Sequence, residues 1–436
     1  MTVADRGMEA GLRALRMLAG SPLLDRTGLR PHAERAVFTL TKHGFRAAGT
    51  AGRTFARVSP NGAKPVRQGT RTPTGLFDLT PDDEQQMVVE SLRAFAAERL
   101  RPVAQDADAA CAPPEGLAAE GAELGLPILG VPEELGGAMS ERSSVTGVLA
   151  AEALAHGDMG LAVSLLAPAG VATAIARFGT AAQQQTYLPA FTGEDVAPAA
   201  VAILERRPLF DPFALETTAT RSGDGWTLDG EKALVPLAAS ADLLLVAALC
   251  DEGPALFLVE TSGKGVTYQA EPAMGVRAAG TGVVRFDGVA LPEDALLCSG
   301  ADYAEAVLRS RLAWCGLAAG CAKAVLDHVI PYVNERQAFG EPISHRQAVA
   351  FTVSDIAIEQ AGMGLATLRA ASLLDAGKDA THATAVARRL CADKGMAIGS
   401  HGVQLLGGHG YVKEYPVERW YRDLRATAIM EGGVMV

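Results

Sequence analysis

The spacing of hydrophobic positions changes twice along the chain. From residue 80 to about 192, apolar side chains recur at helical spacing with Gly and Pro interruptions. The helical period returns over roughly 303–335, 344–376, 379–406 and 416–428. Between these blocks, around 196–298, it shortens. Trp226-Thr-Leu-Asp-Gly, Leu243-Leu-Leu-Val-Ala-Ala, Ala255-Leu-Phe-Leu-Val and Gly282-Val-Val-Arg-Phe-Asp read as strands separated by Gly, Asp and Ser turns. Helices, strands and helices again, with no β–α–β alternation, predict an α+β protein, mostly α, and count against a Rossmann sheet.

Local signals refine this order. Thr80-Pro81-Asp82-Asp83-Glu84 predicts a helix start, with Thr80 as N-cap, Pro81 at the first helical position and acids in the first turn. Gly130-Val-Pro-Glu-Glu-Leu-Gly-Gly137 reads as a turn. Upstream, Leu12, Leu15 and Leu18 share a helical face, and Val37, Phe38, Leu40, Phe45 and Phe55 recur among basic residues, predicting two short amphipathic helices. Residues 59–76, rich in Pro, Gly, Arg and Thr, read as a linker. Four segments result: a basic extension and linker over 1–76, a helical domain over 77–195, a β-domain over 196–300 and a helical bundle over 301–436.

Charge sharpens the first boundary. Thirteen Arg and Lys against four acids put +9 in residues 1–75, so the whole-chain net charge of −11 leaves −20 for the remainder. A basic amphipathic segment suits an anionic membrane surface or an acidic neighbouring subunit. The acidic body and the lack of a basic–aromatic platform count against nucleic acid. At 436 residues, 49% apolar and 20% charged, the chain is large enough for two or three domains of ordinary globular composition. Six cysteines without a C-x-x-C pair read as thiols in a reducing compartment, not as a disulfide framework or a metal site. No secretory h-region and no apolar run of the ~18 residues a membrane span needs are visible, so the expected location is cytoplasmic, with peripheral membrane contact through 1–75 as an option.

Three stretches carry candidate chemistry. Arg336-Gln-Ala-Phe339-Gly340-Glu-Pro342-Ile-Ser-His-Arg346-Gln347 sits between two helical segments, where a guanidinium offers a bidentate fork to pyrophosphate and Gly permits close approach. Gln404-Leu-Leu-Gly407-Gly408-His-Gly410-Tyr411 ends a helix and lets backbone pass near a flat or anionic group. Glu431 follows apolar Ile429-Met430, and a desolvated carboxylate there suits proton abstraction from carbon. Singly, each reads as a surface Arg, a helix C-cap or an exposed Glu.

Together, with Glu414-Tyr415-Pro416, Arg419 and Tyr421-Arg422-Asp423, they resemble the signature of the acyl-CoA dehydrogenases, flavoproteins that oxidise the α–β bond of a fatty acyl thioester. The resemblance covers about 78–436 and is strongest over 303–433. It implies an N-terminal helical domain, a central β-domain, a C-terminal four-helix bundle, and FAD at their junction. It also implies an acyl-CoA substrate, an electron-transfer flavoprotein as acceptor, and a homodimer or homotetramer. Glu431 would take the α-proton while flavin N5 receives the β-hydride, giving a trans-2-enoyl-CoA. Arg336 and Gln347 would contact the FAD phosphates and ribityl chain, partly across a subunit interface, with Phe339, Arg346, Gln404, Gly407, Gly408 and Gly433 on the same cofactor surface. Arg311 matches an arginine kept beside the substrate, and Ser310, Gly432 and Phe210 complete the implied substrate set. Isovaleryl and long-chain relatives carry their base on the helix of Ser310; a serine there leaves Glu431 without a rival.

The middle segment departs from the family pattern. Its Thr-Glu-Pro-Gly-x-Gly-Ser-Asp appears here as Leu204-Glu205-Arg206-Arg207-Pro208-Leu209-Phe210-Asp211, and its Lys-x-Trp-Ile-Thr as Lys232-Ala-Leu234-Val235-Pro236. The Thr and Ser hydroxyls that in the family reach the flavin and the CoA thioester region are gone. Pro236 lacks both a hydroxyl and an N–H, which removes two flavin hydrogen bonds and makes backbone N–H groups of Leu204 and Val235 the expected donors. Arg206 and Arg207 suit CoA phosphates or plain solvent equally. Relatives also continue for another helix beyond the base, a role the basic extension is a candidate to fill. Alternatives are a degenerate subunit with weak or no FAD binding and a flavin oxidase on the same scaffold. Acyl chain length stays open.

Overall fold

The computed structural model describes residues 79–137, 143–193, 195–271, 273–432 and 434. The expectations for residues 1–76 and for Gly433 lie outside them. The first described helix, α1 (Asp83–Phe95), starts two residues later than Thr80-Pro81 predicts. Asp82 is the N-cap: its carboxylate accepts from the Gln85 N–H at 2.8 Å, and the Gln85 side chain accepts from the Asp82 N–H at 3.1 Å. That reciprocal pair satisfies two otherwise orphaned donors and places Pro81 outside the helix. A π-helical turn (Ala96–Leu100) joins α1 to α2 (Arg101–Ala110), followed by α3 (Leu117–Glu123), α4 (Ser144–Ala155), α5 (Met159–Phe178) and α6 (Ala181–Tyr187).

The β-domain is one eight-stranded sheet: β1 (Ala199–Ala202), β2 (Thr218–Ser222), β3 (Gly225–Val235), β4 (Leu243–Cys250), β5 (Gly253–Glu260), β6 (Val266–Ala270), β7 (Gly282–Pro292) and β8 (Leu296–Ser299). Strand order is β6-β7-β3-β2-β4-β5-β8, with β1 running parallel beside β4. The unbroken apolar run of β4 has a direct cause. Leu243, Leu245 and Ala247 pack into the core shared with the helices, whereas Leu244, Val246 and Ala248 pack into a second core on the opposite face. A strand buried on both sides shows no polar alternation.

Three long helices return: α7 (Gly300–Glu335), α8 (Gln347–Asp375) and α9 (Thr381–Leu406). A two-strand hairpin, β9 (Gln337–Ala338) with β10 (Glu341–Pro342), connects the first two. The predicted fourth helix over 416–428 is shorter: α10 (Val417–Asp423) gives way to a 3-10 turn (Ala426–Ala428) that redirects the chain toward Glu431. α5 and α7 are long and apolar enough to cross a membrane by composition, but 78% and 72% of their apolar windows are buried inside the protein.

The segment following Gly410 ties the three domains together. Arg422 forms a bidentate pair with Asp108 of α2, both contacts at 2.9 Å, and Arg419 pairs with buried Asp158 at 2.9 Å. Asp423 accepts from the Val276 N–H of the β-domain at 2.6 Å. Any Cβ at Gly275 would sit 2.3 Å from the Arg422 carbonyl oxygen, so this approach requires glycine.

Candidate active site

Glu431 is 5% exposed and takes φ +57°, a left-handed conformation that costs an ordinary residue about 1–3 kcal/mol. Its surroundings impose that conformation. The Met430 and Gly432 carbonyls both accept from the Arg388 guanidinium, and the Glu431 carbonyl accepts from Arg311 Nε at 3.1 Å. Three charge-assisted hydrogen bonds at ~1.5–3 kcal/mol each outweigh the strain. The carboxylate is itself directed: Ser310 Oγ donates to Oε1 at 2.9 Å, and Trp314 Nε1 donates to the same oxygen at 3.2 Å. Ser310, Arg311 and Trp314 fall on one face of α7 because their spacing is a helical turn. Burial pushes the Glu431 carboxyl above the usual range, against the opposing pull of Ser310, Trp314, Arg388 and Arg311. Gly432 is wedged so tightly that a Cβ would meet Pro212 Cδ at 2.7 Å, Arg311 Nη2 at 3.1 Å and the Phe210 carbonyl oxygen at 3.1 Å.

Glu431 forms part of the wall of a cavity of about 340 Å³. Val201, Ile203 and Pro236 form its sheet side; Gly147 of α4, Gly170 of α5 and Trp314 of α7 contribute to its helical side. This mostly apolar space beside a dehydrated carboxylate can hold a hydrocarbon chain and a flat ring, and it strengthens any charge interaction within it.

Arg336, Phe339, Arg346, Gln347, Gln404, Gly407 and Gly408 are all exposed, at or just beyond the C-terminal ends of α7 and α9 and at the start of α8. Tyr332, one turn before Arg336, donates to the Leu406 carbonyl at 3.2 Å and lies 2.9 Å from His409 Nδ1. Phe339 is 98% exposed with φ +56°, and the Arg346 guanidinium lies 5.7 Å from its ring centroid. Gly407 takes φ +59°, and a Cβ placed on either Gly407 or Gly408 would meet no atom of the described residues within 4 Å, which leaves this backbone open to a ligand.

Comparison with known proteins settles the family. The N-terminal, middle and C-terminal domain families of acyl-CoA dehydrogenase match residues 82–195, 200–289 and 299–434. The chain belongs to the acyl-CoA dehydrogenase family. It is 34% identical over 367 residues to the mitochondrial short-chain specific acyl-CoA dehydrogenase of Bos taurus, covering 80% of this chain and 87% of that one. The solved butyryl-CoA dehydrogenase of Megasphaera elsdenii superposes with TM-score 0.77 at 29% identity, over 82% of this chain and 97% of its own. A chain from the structure of the electron transferring flavoprotein of Acidaminococcus fermentans matches with TM-score 0.76 at 30% identity, over 82% and 97%. As a family member, the protein is an oxidoreductase acting on CH–CH bonds.

The altered middle segment packs against the cavity. Side chains of Val201, Ile203 and Pro236 line the cavity, while Leu204 and Val235 are buried beside it in the two cores. The Leu204 carbonyl accepts from the Ala233 N–H at 2.9 Å. Arg206 pairs with Glu271 at 3.1 Å, and Arg207 bonds to the Ala214 carbonyl and lies 5.5 Å from the Phe210 ring centroid. Phe210 is buried and backs Gly432. The retained Glu205 and Lys232 form a buried pair at 2.8 Å. Glu205 also accepts from the Glu216 and Thr217 N–H groups, which holds this loop in place. Burial pushes the Lys232 ammonium down to about 8.

Two residues escaped the sequence reading. Trp314 lies four residues beyond Ser310 and was discoverable by helical spacing alone. Arg388 stands in an Arg388-Arg389 doublet that does not reveal which member faces inward.

Proposed function

We propose that the protein is an FAD-dependent acyl-CoA dehydrogenase that desaturates the α–β bond of an acyl-CoA thioester, with Glu431 as the base. The observation that carries this reading is a fully buried carboxylate, held by Ser310 and Trp314, on the wall of an apolar cavity. Glu431 takes the α-proton; desolvation gives it a basicity suited to a weak carbon acid. Arg311 and Arg388 fix its backbone, so little reorganisation accompanies proton transfer. FAD, when bound, supplies the acceptor for the β-hydride. The residues fit such a group: Val201, Ile203 and Pro236 offer a flat apolar wall, while Arg336 and the open Gly407–Gly408 turn offer donors to phosphate.

One chain does not join these two places. Ser310 and Arg336 are 26 residues apart on or bounding α7, which is about 39 Å of helix. That span exceeds the reach of one dinucleotide. Arg336 and Gln347 of one subunit therefore serve the cofactor whose ring faces another subunit's Glu431, which supports a homodimer or homotetramer. Exposed Phe351, Ile358 and Leu365, seven residues apart along α8, give such an assembly an apolar surface. The likeness to the chain in the electron transferring flavoprotein structure supports an electron-transfer flavoprotein as acceptor.

The test is anaerobic titration of the purified holoenzyme with acyl-CoAs of graded length. Wild type bleaches the flavin band; Glu431→Gln binds FAD and thioester without bleaching. Normal bleaching by Glu431→Gln rejects the base.

A further inference from the structure

Arg388 lies on α9, 3% exposed, and bonds to the carbonyls on both sides of Glu431. Its Nε and Nη1 are buried with no hydrogen-bond partner among the described residues. Neighbouring Arg389 instead pairs with Asp393 at 2.6 Å on the exposed face. A buried guanidinium with two unpaired nitrogens is expensive to maintain, so a packing role alone is a poor account of it. Burial drives its pKa down to about 10, and the ionisable groups facing it are Arg311, Cys315, Cys391 and Glu431. Glu431 itself faces Arg311 and Tyr303 from α7, Arg388 from α9 and Lys232 from β3. Arg311 is only partly buried, so solvent screens it more than it screens Arg388.

We infer, on the reading that Glu431 is the base, that Arg388 is the positioning residue of this active site. It clamps the two peptide carbonyls that hold Glu431 in its left-handed conformation and supplies the unscreened positive charge that lets a dehydrated carboxylate ionise. The clamp acts on the base through its backbone, so it governs proton abstraction and not thioester affinity.

The experiment compares wild type, Arg388→Met and Arg388→Lys as FAD-loaded enzymes. It measures pH profiles of kcat and kcat/KM, and titrates Glu431 by infrared difference spectroscopy against Glu431→Gln. For Arg388→Met, kcat falls by roughly tenfold or more while acyl-CoA KM changes by less than about threefold. Loss of the cation also moves the acid limb and the infrared titration to higher pH. Arg388→Lys returns both titrations toward wild type but restores kcat only in part, because an ammonium lacks the planar fork. A folded, FAD-bound Arg388→Met with wild-type kcat and titration overturns the inference; if that variant does not fold, an Arg388→Lys indistinguishable from wild type in kcat does so. Turnover by Glu431→Gln rejects the base assignment instead, so the two failures are separable.

Discussion

Ser310 and Trp314 converge on one carboxylate oxygen of Glu431, at 2.9 and 3.2 Å, leaving the other oxygen without either donor. A hydrogen bond to a charged acceptor is worth ~1.5–3 kcal/mol, which equals about one to two pKa units. Both donors favour the ionised form, so removing one raises the Glu431 pKa further. Activity needs the carboxylate and is lost as pH falls through that pKa. Ser310→Ala therefore moves the acid limb of kcat/KM upward by about one unit while the alkaline plateau changes little. An unchanged limb in a stopped-flow pH series contradicts this role. The sequence singled out Glu431 by its long motif context and Ser310 and Arg311 by their place on the preceding helix, and the structure brings the three together. The sequence concealed Arg388, since inward and outward members of an Arg doublet look identical until packing assigns them. It left Arg206 and Arg207 open between phosphates and solvent, since Arg206's partner Glu271 is 65 residues away.

At the scale of elements, the helix–sheet–helix order and the most apolar strands were legible because buried runs leave a period. Strands β2 and β6 were not: their patterns are mostly exposed, so little apolar periodicity marks them. The start of α1 was misplaced because Thr80 and Asp82 are both good caps and only the Gln85 side chain decides between them. Cavity shape was beyond sequence, since it depends on which glycines of α4 and α5 face the space. Among the described residues, a Cβ at Gly147 meets nothing within 4 Å, and one at Gly170 meets only Val201 at 3.7 Å. Gly147→Leu therefore fills the cavity without disturbing backbone. Intruding into the space of a long acyl chain at ~1–3 kcal/mol, it lowers kcat/KM for long acyl-CoAs by roughly tenfold to a hundredfold and spares the shortest. The helix gains by the exchange, about 1 kcal/mol, so the thermal midpoint does not fall. Equal loss across chain lengths shows that the acyl group lies elsewhere.

At the scale of the molecule, Arg422–Asp108, Arg419–Asp158 and Asp423–Val276 lock the three domains around the cavity, while the proposed cofactor surface stands at the other end of α7 and α9. An active site built across subunits has a clear signature. Co-expression of Arg336→Ala and Glu431→Gln chains regenerates some sites with both wild-type residues, so mixed oligomers recover activity that neither parent has. No recovery in confirmed mixed oligomers places Arg336 and Glu431 in separate functions. The central claim, that Glu431 removes the α-proton, is tested most directly by α-deuterium washout from an acyl thioester whose β-position does not give up hydride. Wild-type enzyme exchanges the label into water, and Glu431→Gln, with FAD and thioester bound, does not; washout at the wild-type rate from Glu431→Gln contradicts the account.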